Sequence, residues 1–326
     1  MTTRPETYSC EPPAPDAPIN HRVLSLDGGG AKGIYTLGFL SRLEKDLGQP
    51  IHSRFDLIYG TSTGSIIAAL LSLGTPVPEI YDLYLRHIPA ILKPFRAGPR
   101  SRALEQVAAE LFGNKTWSNL KIPTGLVATN WNTKEPLVFK SHWQMAHGAQ
   151  KAFLPGFGES LSQAICASCS AVPFFLPVKI TLQNRGGEVV DAYDGGFSAN
   201  NPSLFALIDL DPLKFTPEET VLFSVGVGHY PEPKEFTLQR FVSRHILKRL
   251  TSVQILTGVL EISSNTNGIL QRLAMKKVRF IRADDRFLEP DLGTDLLETE
   301  PAKLRKLFSG GTRSYEKQER AIQAFL

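Results

Sequence analysis

Cysteine is scarce in this 326-residue sequence, and its pattern excludes a disulfide-stabilised protein. The three cysteines, Cys10, Cys166 and Cys169, make an odd number and form no regular framework of pairs. A reducing, cytosolic compartment is therefore predicted. Cys166 and Cys169 have the spacing of a redox or metal motif, but no second such pair accompanies them. We interpret both as small helix residues and predict no metal site.

Long apolar runs and strong charge are also missing. No window reaches the roughly 20 uninterrupted apolar residues that a membrane-spanning helix needs. Residues 1–20 are polar and proline-rich, which predicts a flexible lead-in and not a secretory signal. The net charge of +4 is too mild to predict a nucleic-acid polymer as the partner. It is compatible with an anionic membrane surface or a phosphate-bearing ligand.

Strand and helix patterns alternate along most of the chain. Short apolar runs predict strands at 22–26, 55–59, 125–129, 136–139, 188–193, 221–226 and 277–281. Helical spacing predicts helices at 34–47, 65–71, 77–89, 103–112, 160–171, 203–210, 239–262, 303–308 and 315–325. This alternation is typical of an α/β fold with a mostly parallel sheet and helices on both faces. We predict one domain over 21–326, with a motif-bearing core at 22–205 and a helix-rich part at 206–326.

The pentapeptide Gly60-Thr61-Ser62-Thr63-Gly64 lies between a predicted strand and a predicted helix. Glycines on both sides of Ser62 allow a tight turn, and the following helix directs the positive end of its dipole toward the serine. A nucleophilic serine at such a turn is one interpretation. Because a pentapeptide of this kind often occurs by chance, an ordinary strand–helix loop is the other.

A second glycine-rich turn, residues 27–33, follows the first predicted strand. Gly28, Gly30 and Gly33 have the spacing of a dinucleotide-binding fingerprint, but the next strand ends without the acidic residue that such a site requires. The alternative is an oxyanion hole, in which N–H groups of consecutive glycines face a developing negative charge and Lys32 adds positive potential. The serine turn that follows the next strand favours the oxyanion hole.

A serine nucleophile needs a base, and two kinds of residue are candidates. None of the seven histidines ends a late strand as the histidine of an α/β-hydrolase does, and His229 is the nearest candidate. Asp194 does end a predicted strand, and two glycines follow it. Since ligands gather at the carboxyl ends of strands in open α/β sheets, we expect Asp27, Ser62 and Asp194 to lie at one site.

Two basic segments have more than one interpretation. Residues 86–102 mix arginines with prolines and glycines, which predicts an irregular loop that is either a solvated surface or a phosphate contact. The predicted helix at 239–262 has a basic face opposite an apolar stripe, so it lies on a membrane, binds an acidic partner or packs on the core. The candidate phosphate contacts are Arg96, Arg100, Arg102, Arg244 and Lys248.

Three motifs, in this order, resemble those of the patatin-like phospholipase family. The glycine-rich motif is Asp27-Gly28-Gly29-Gly30-Ala31-Lys32-Gly33, with Lys32 where the family commonly has arginine. The nucleophile motif is Gly60-Thr61-Ser62-Thr63-Gly64, and the aspartate motif is Asp194-Gly195-Gly196. Residues 167–175 resemble the family's small-residue helix that ends in proline near the active site. The C-terminal third has no motif of comparable specificity.

The resemblance implies a three-layer α/β/α fold and a lipid acyl hydrolase of the phospholipase A type that requires no cofactor. Ser62 would attack an ester carbonyl of a membrane phospholipid, and Asp194 would accept its proton without a histidine. The N–H groups of Gly28, Gly29 and Gly30 would hold the oxyanion. Such an enzyme would meet its substrate as a peripheral protein at the inner face of the membrane. Because a carboxylate with an ordinary pKa of about 3.9 is a weak base, Asp194 must be partly desolvated.

A narrower resemblance is to the bacterial patatin-like effectors of anti-phage signalling. It implies that a cyclic dinucleotide, of the cyclic GMP-AMP kind, contacts the basic segments and switches on the phospholipase. A homo-oligomer is compatible with this reading. The alternatives are a general lipase or acyltransferase without nucleotide control, and a nucleotide-binding regulatory protein whose glycine turn holds phosphate. A catalytically dead scaffold is disfavoured because all three motif residues are present.

Overall fold

The structure is a computed structural model that describes residues 18–147, 150–230, 251–274 and 276–326. Eight strands form one sheet: β1 (His21–Leu26), β2 (Leu57–Thr61), β3 (Thr124–Asn130), β4 (Glu135–Lys140), β5 (Val178–Leu182), β6 (Glu188–Asp194), β7 (Thr220–Val225) and β8 (Arg279–Ala283). The α-helices in these ranges are α1 (Gly33–Leu47), α2 (Thr63–Leu73), α3 (Val77–Leu92), α4 (Ala97–Phe112), α5 (Leu161–Ser168), α6 (Gly196–Ala199), α7 (Ser203–Ile208), α8 (Leu210–Leu213), α9 (Thr251–Ala274) and α10 (Pro301–Gln323).

The sheet is parallel at its centre and antiparallel on one side. The strands β3-β2-β1-β7-β8 run parallel in this order. The strands β4 and β6 pair antiparallel with β3, and β5 pairs antiparallel with β6. Alternate residues of β2 belong to different apolar clusters, Ile58 to one and Leu57 and Tyr59 to another. Both faces of the sheet are therefore covered, which confirms the predicted α/β class.

One edge of β3 brings two strands together end to end. The parallel strand β2 pairs Thr61 with Val127. The antiparallel strand β6 pairs Asp194 with the next residue of β3, Ala128. Because β4 occupies the opposite edge of β3, β2 and β6 share this edge, and their carboxyl ends meet head-on. The strand of Asp194 therefore reaches the site from the opposite direction to the parallel strands.

The C-terminal helix differs most from the predicted elements. The sequence predicts two helices with a glycine-containing break between them, but α10 is continuous. A Cβ at Gly311 would lie 1.9 Å from the carbonyl oxygen of Tyr35 in α1. The glycine is needed for the close approach of α10 to α1, and it does not end the helix. The strand predictions also miss β5.

The predicted basic loop at 86–102 is mostly helical. Helix α3 continues to Leu92 and α4 begins at Ala97, which leaves only residues 93–96 between them. Pro99 is tolerated because it falls in the first turn of α4, where its missing N–H removes no intrahelical bond.

Some predicted segments fall partly outside the described residues. Most of the predicted lead-in at 1–20 lies outside them, and so do residues 239–250 of the predicted basic helix. Helix α9 covers the rest of that prediction and extends beyond its expected end to residue 274. Among the helices that the structure describes, none combines the length and apolar character required to cross a bilayer. The division of the chain into a lead-in and one domain stays a prediction.

Candidate active site

Ser62 occupies the turn between β2 and α2 in a backbone conformation that few side chains adopt. Its φ of 52° and ψ of −126° lie outside the regions favoured by L-residues, as is common for strained residues at functional sites. A Cβ at Gly60 would lie 2.3 Å from the carbonyl oxygen of Gly64, and a Cβ at Gly64 would lie 2.3 Å from that of Leu26. Both glycines are therefore required for the turn that presents Ser62 directly before α2.

Ser62 and Asp194 form a direct hydrogen-bonded pair. The Oγ of Ser62 donates to Oδ2 of Asp194 at 2.7 Å, and the N–H of Gly196 donates to Oδ1 at 2.7 Å. Asp194 is only 3% exposed. Burial raises the pKa of Asp194 to about 6, although the hydrogen bonds from Ser62 and Gly196 oppose the shift. The carboxylate is therefore a stronger base than an exposed aspartate, as the dyad requires.

The C-terminal end of α5 and the residues directly after it hold the two halves of this pair together. The side-chain oxygen of Ser168 accepts the N–H of Ser62 at 2.9 Å. The backbone carbonyls of Ser168 and Ser170 accept the N–H groups of Gly195 and Asp194 at 3.1 and 3.0 Å. The small-residue segment noted in the sequence is thus the support that fixes the serine turn relative to the aspartate. Its composition was a usable signal, but the roles of the two serines were not predicted.

The glycine-rich turn lies directly beside Ser62. A Cβ at Gly28 would be 3.0 Å from the Cβ of Ser62. However, the N–H of Gly28 donates to the carbonyl of Asn200 at 3.0 Å, so it is occupied. This corrects the prediction that Gly28 supplies an oxyanion donor. The N–H groups of Gly29 and Gly30 form no hydrogen bond with any residue in the described ranges, and they stay the predicted donors.

A partly buried ion network supports the glycine-rich turn. Arg282 of β8 donates to both carboxylate oxygens of Asp27 at 2.9 and 2.7 Å, and to Asp284 at 2.6 Å. Burial alone would raise the pKa of Asp284, but Arg282 and His229 outweigh it and lower this pKa. The Nε2 atom of His229 lies 3.3 Å from Oδ2 of Asp284. Among the described residues, no histidine is hydrogen-bonded to Ser62, so His229 does not complete a triad.

A cavity of about 90 Å³ adjoins the Ser62–Asp194 pair. Apolar side chains line one part of it, namely Leu92, Phe174 and Phe175. Lys32 also lines it, and burial lowers the pKa of this lysine against the opposing effect of nearby carboxylates. Binding cavities for small molecules usually have volumes of about 300–1,000 Å³. The cavity is therefore too small for a phospholipid in the state that the structure describes.

Helix α9 closes one side of the cavity. Leu260, Glu261 and Ser264 all line it. The Oγ of Ser264 donates to Oδ2 of Asp27 at 3.1 Å, which ties α9 to the glycine-rich turn. A Cβ at Gly196 would lie 2.7 Å from Cδ2 of Leu260, so this leucine packs against the residue that positions Asp194. These long-range contacts were not predicted from the sequence.

The remaining predicted residues lie at or outside this site. Gly33 begins α1 directly after the glycine-rich turn. Arg96 and Arg102 are exposed, whereas Arg100 is buried and its Nε donates to the carbonyl of Leu92 at 3.2 Å. Arg244 and Lys248 lie outside the described residues. In the described ranges, no group of three or more His, Cys, Asp or Glu side chains is placed to hold a metal ion.

Comparison with known proteins identifies the family. Residues 24–207 match the model for patatin-like phospholipases, over more than half of the chain and across all three motifs. The chain belongs to the patatin-like phospholipase family. This patatin-like phospholipase is therefore a lipid acyl hydrolase with the predicted three-layer α/β/α fold.

Three relatives show the range of similarity. The patatin-like chain is 43% identical over 306 residues to the cUMP-AMP-activated phospholipase of Escherichia coli, covering 94% of this chain and 93% of that protein. It is 26% identical to Patatin-like protein 1 of Arabidopsis thaliana, covering 85% of this chain and 77% of the relative. It is 28% identical to the cGAMP-activated phospholipase of Pseudomonas aeruginosa, covering 64% of this chain and 62% of that protein.

Proposed function

We propose that this protein hydrolyses acyl esters of membrane phospholipids with a Ser62–Asp194 dyad, and that a cyclic dinucleotide switches this activity on. The hydrogen bond of 2.7 Å between Ser62 and buried Asp194, beside the glycine-rich turn, carries the catalytic part of the proposal. The enzyme would work as a peripheral protein at the inner face of the membrane, in bacterial anti-phage defence. A homo-oligomer stays a prediction.

The dyad would act in two steps that balance in atoms and charge. Ser62 Oγ attacks the ester carbonyl carbon while its proton passes to Oδ2 of Asp194, and the N–H groups of Gly29 and Gly30 stabilise the oxyanion. The tetrahedral intermediate collapses, the C–O bond to the glycerol breaks, and the leaving alkoxide takes the proton from Asp194. A water molecule then attacks the acyl-serine while its proton passes to Asp194. The bond between the acyl carbon and Ser62 Oγ breaks, and Oγ takes the proton back from Asp194, which releases the fatty acid and free Ser62.

The pKa of Asp194 predicts how activity depends on pH. Only the ionised carboxylate accepts a proton, and burial places its pKa at about 6. The kcat/KM for a soluble short-chain ester is therefore expected to fall about tenfold per pH unit below that value and to level off above about pH 7. Initial rates between about pH 4.5 and pH 8.5, with circular dichroism to verify folding, test this. A flat profile across this range would exclude Asp194 as the base.

Two observations support control by a cyclic dinucleotide. The relative from Escherichia coli, 43% identical, is by its name activated by cUMP-AMP. In addition, the cavity of about 90 Å³ is too small for a phospholipid and has α9 along one side, so the structure must open before the substrate reaches Ser62. We infer that the ligand favours a state in which α9 has left the glycine-rich turn. Arg244 and Lys248 stay predicted contacts to the phosphates of this ligand, whereas Arg96 and Arg102 stay predicted phosphate contacts to either the nucleotide or a lipid headgroup.

The test is hydrolysis of vesicles made from a phospholipid with two different acyl chains. The purified chain is assayed alone and with cUMP-AMP, cyclic GMP-AMP, cyclic di-GMP or a linear dinucleotide, and products are identified by mass spectrometry. We expect one cyclic dinucleotide to raise fatty-acid release at least about tenfold, and the linear compound to have no effect. Equal hydrolysis under all conditions would overturn the ligand control but not the dyad. Acyl transfer to an alcohol in place of fatty-acid release would favour an acyltransferase.

A further inference from the structure

We propose that the exposed junction between α3 and α4 is the face by which this protein docks on an anionic phospholipid surface. The docking face consists of Lys93, Phe95, Arg96, Arg102 and Leu176. This inference rests on the proposed function, because it explains how the enzyme reaches a substrate in a bilayer. It goes further in naming the residues that make the contact.

Two large apolar side chains form the centre of the docking face. Phe95 is 53% exposed and Leu176 is 51% exposed. Leu176 is held against the start of α4, because its N–H donates to Oγ of Ser101 at 2.8 Å and its Cδ1 lies 3.9 Å from the Cβ position of Gly98. Phe95 precedes that glycine by three residues, so both exposed apolar residues belong to the same short junction.

The docking face is continuous with the catalytic cavity. Leu92 lies three residues before Phe95 and lines the cavity, and Phe175 directly precedes Leu176 and also lines it. An acyl chain that leaves a bilayer at this face would meet apolar side chains from the surface inward toward Ser62. A docking face far from the cavity would force the acyl chain through water.

The charges around the apolar centre favour an anionic surface. Residues 93–102 contain four basic side chains and no acidic one. Lys93, Arg96 and Arg102 are exposed, and Nη1 of Arg102 lies 3.7 Å from the Cβ position of Gly98, beside Leu176. Arg100 points inward and contributes to the fold instead. In the described part of the chain, none of the three exposed cations forms an ion pair.

The combination of exposed apolar and basic side chains favours a bilayer over a cyclic dinucleotide as the partner of this face. Basic residues that flank exposed apolar side chains are the usual composition of surfaces that insert into the headgroup region. An anionic bilayer offers negative phosphates and an apolar interior together. A cyclic dinucleotide matches the charge but gives no apolar interior into which Phe95 and Leu176 could insert.

The test measures binding to vesicles without relying on hydrolysis. All variants are made in a Ser62→Ala background, so that the lipids stay intact, and their sedimentation with phosphatidylglycerol-rich or phosphatidylcholine vesicles is compared. The first variant is Phe95→Ser with Leu176→Ser, and the second is Arg96→Gln with Arg102→Gln. The control is Val189→Ser with Leu288→Ser, which removes apolar side chains that are 53% and 79% exposed elsewhere. Thermal melts verify that every variant is folded.

We expect the apolar pair of substitutions to lower partition onto both vesicle types at least about tenfold. The arginine pair should lower it only on the anionic vesicles, with an effect that added salt reduces. Three results would each overturn the proposal: a parent protein that does not bind vesicles, a control that loses binding equally, or face variants that bind normally. If the arginine variant bound vesicles normally but its active form lost stimulation by the dinucleotide, these arginines would belong to the nucleotide site, which also overturns the proposal.

Discussion

Asp194→Asn is expected to lower phospholipid turnover at least about a thousandfold, and Ser62→Ala at least as much. Asparagine keeps the shape of the side chain but cannot accept the proton of Ser62, so the hydroxyl stays a poor nucleophile. The measurement is fatty-acid release by mass spectrometry in the presence of the activating dinucleotide. The matched control is Asp191→Asn on the same strand. Among the described residues its carboxylate pairs only with exposed Lys179, at 3.2 Å, and this variant should stay within twofold of wild type.

Loss of activity in Asp194→Asn should not come from unfolding. The folded pKa of Asp194 is raised above its unfolded value of about 3.9. Its contribution to stability is therefore present at low pH and is lost as the pH rises through about 6. At about pH 8 the neutral asparagine removes this penalty, so the melting temperature should be no lower than that of wild type. A folded variant that retains full activity would contradict the dyad.

Leu260→Ala combined with Ser264→Ala is expected to raise the rate without dinucleotide on the order of a hundredfold. A hydrogen bond to a charged carboxylate contributes about 1.5–3 kcal/mol, and shortening a buried leucine removes about 2 kcal/mol or more. Because Leu260 is only partly buried, we expect the two substitutions together to remove about 3 kcal/mol of the free energy that holds α9 in the closed position. Since about 1.4 kcal/mol corresponds to a factor of ten, this amounts to roughly a hundredfold. The measurement is basal fatty-acid release from vesicles.

The control for this variant is Thr266→Ala, which changes an exposed residue of the same helix. It should leave both the basal and the stimulated rates unchanged. In the double variant, the stimulation by the dinucleotide should fall as the basal rate rises, since the open state is already populated. A folded double variant with a basal rate equal to or below that of wild type would show that α9 does not control access.

The sequence was sufficient to predict the hydrogen-bonded pair of Ser62 and Asp194 because its motifs describe local backbone geometry. The close contacts at Gly60 and Gly64 exclude any side chain, so the serine turn leaves a clear pattern in the sequence. The nearness of Ser62 and Asp194 was predicted correctly, but for an incomplete reason. Strand β6 meets β2 by antiparallel pairing with β3, and strand pairing is a non-local property that alternating apolar residues do not encode.

The parts of the site that were missed depend on contacts between distant residues. Arg282 and Asp27 are 255 positions apart, and Ser264 and Asp27 are 237 apart. An arginine in a strand of alternating apolar and polar residues is normally expected to face solvent, but Arg282 binds Asp27 of the glycine-rich turn. For the same reason, the predicted roles of Gly28 and Arg100 were wrong. The N–H of Gly28 is bonded to the carbonyl of distant Asn200, and the side chain of Arg100 folds back onto the carbonyl of Leu92.

The most direct test of the dyad is the site and rate of labelling by a fluorophosphonate probe, measured by mass spectrometry with and without the activating dinucleotide. We expect one modified residue, Ser62, and a labelling rate that falls at least about a hundredfold in Asp194→Asn but not in Asp191→Asn. Labelling of another residue, or labelling of Ser62 that is equally fast in Asp194→Asn, would contradict it.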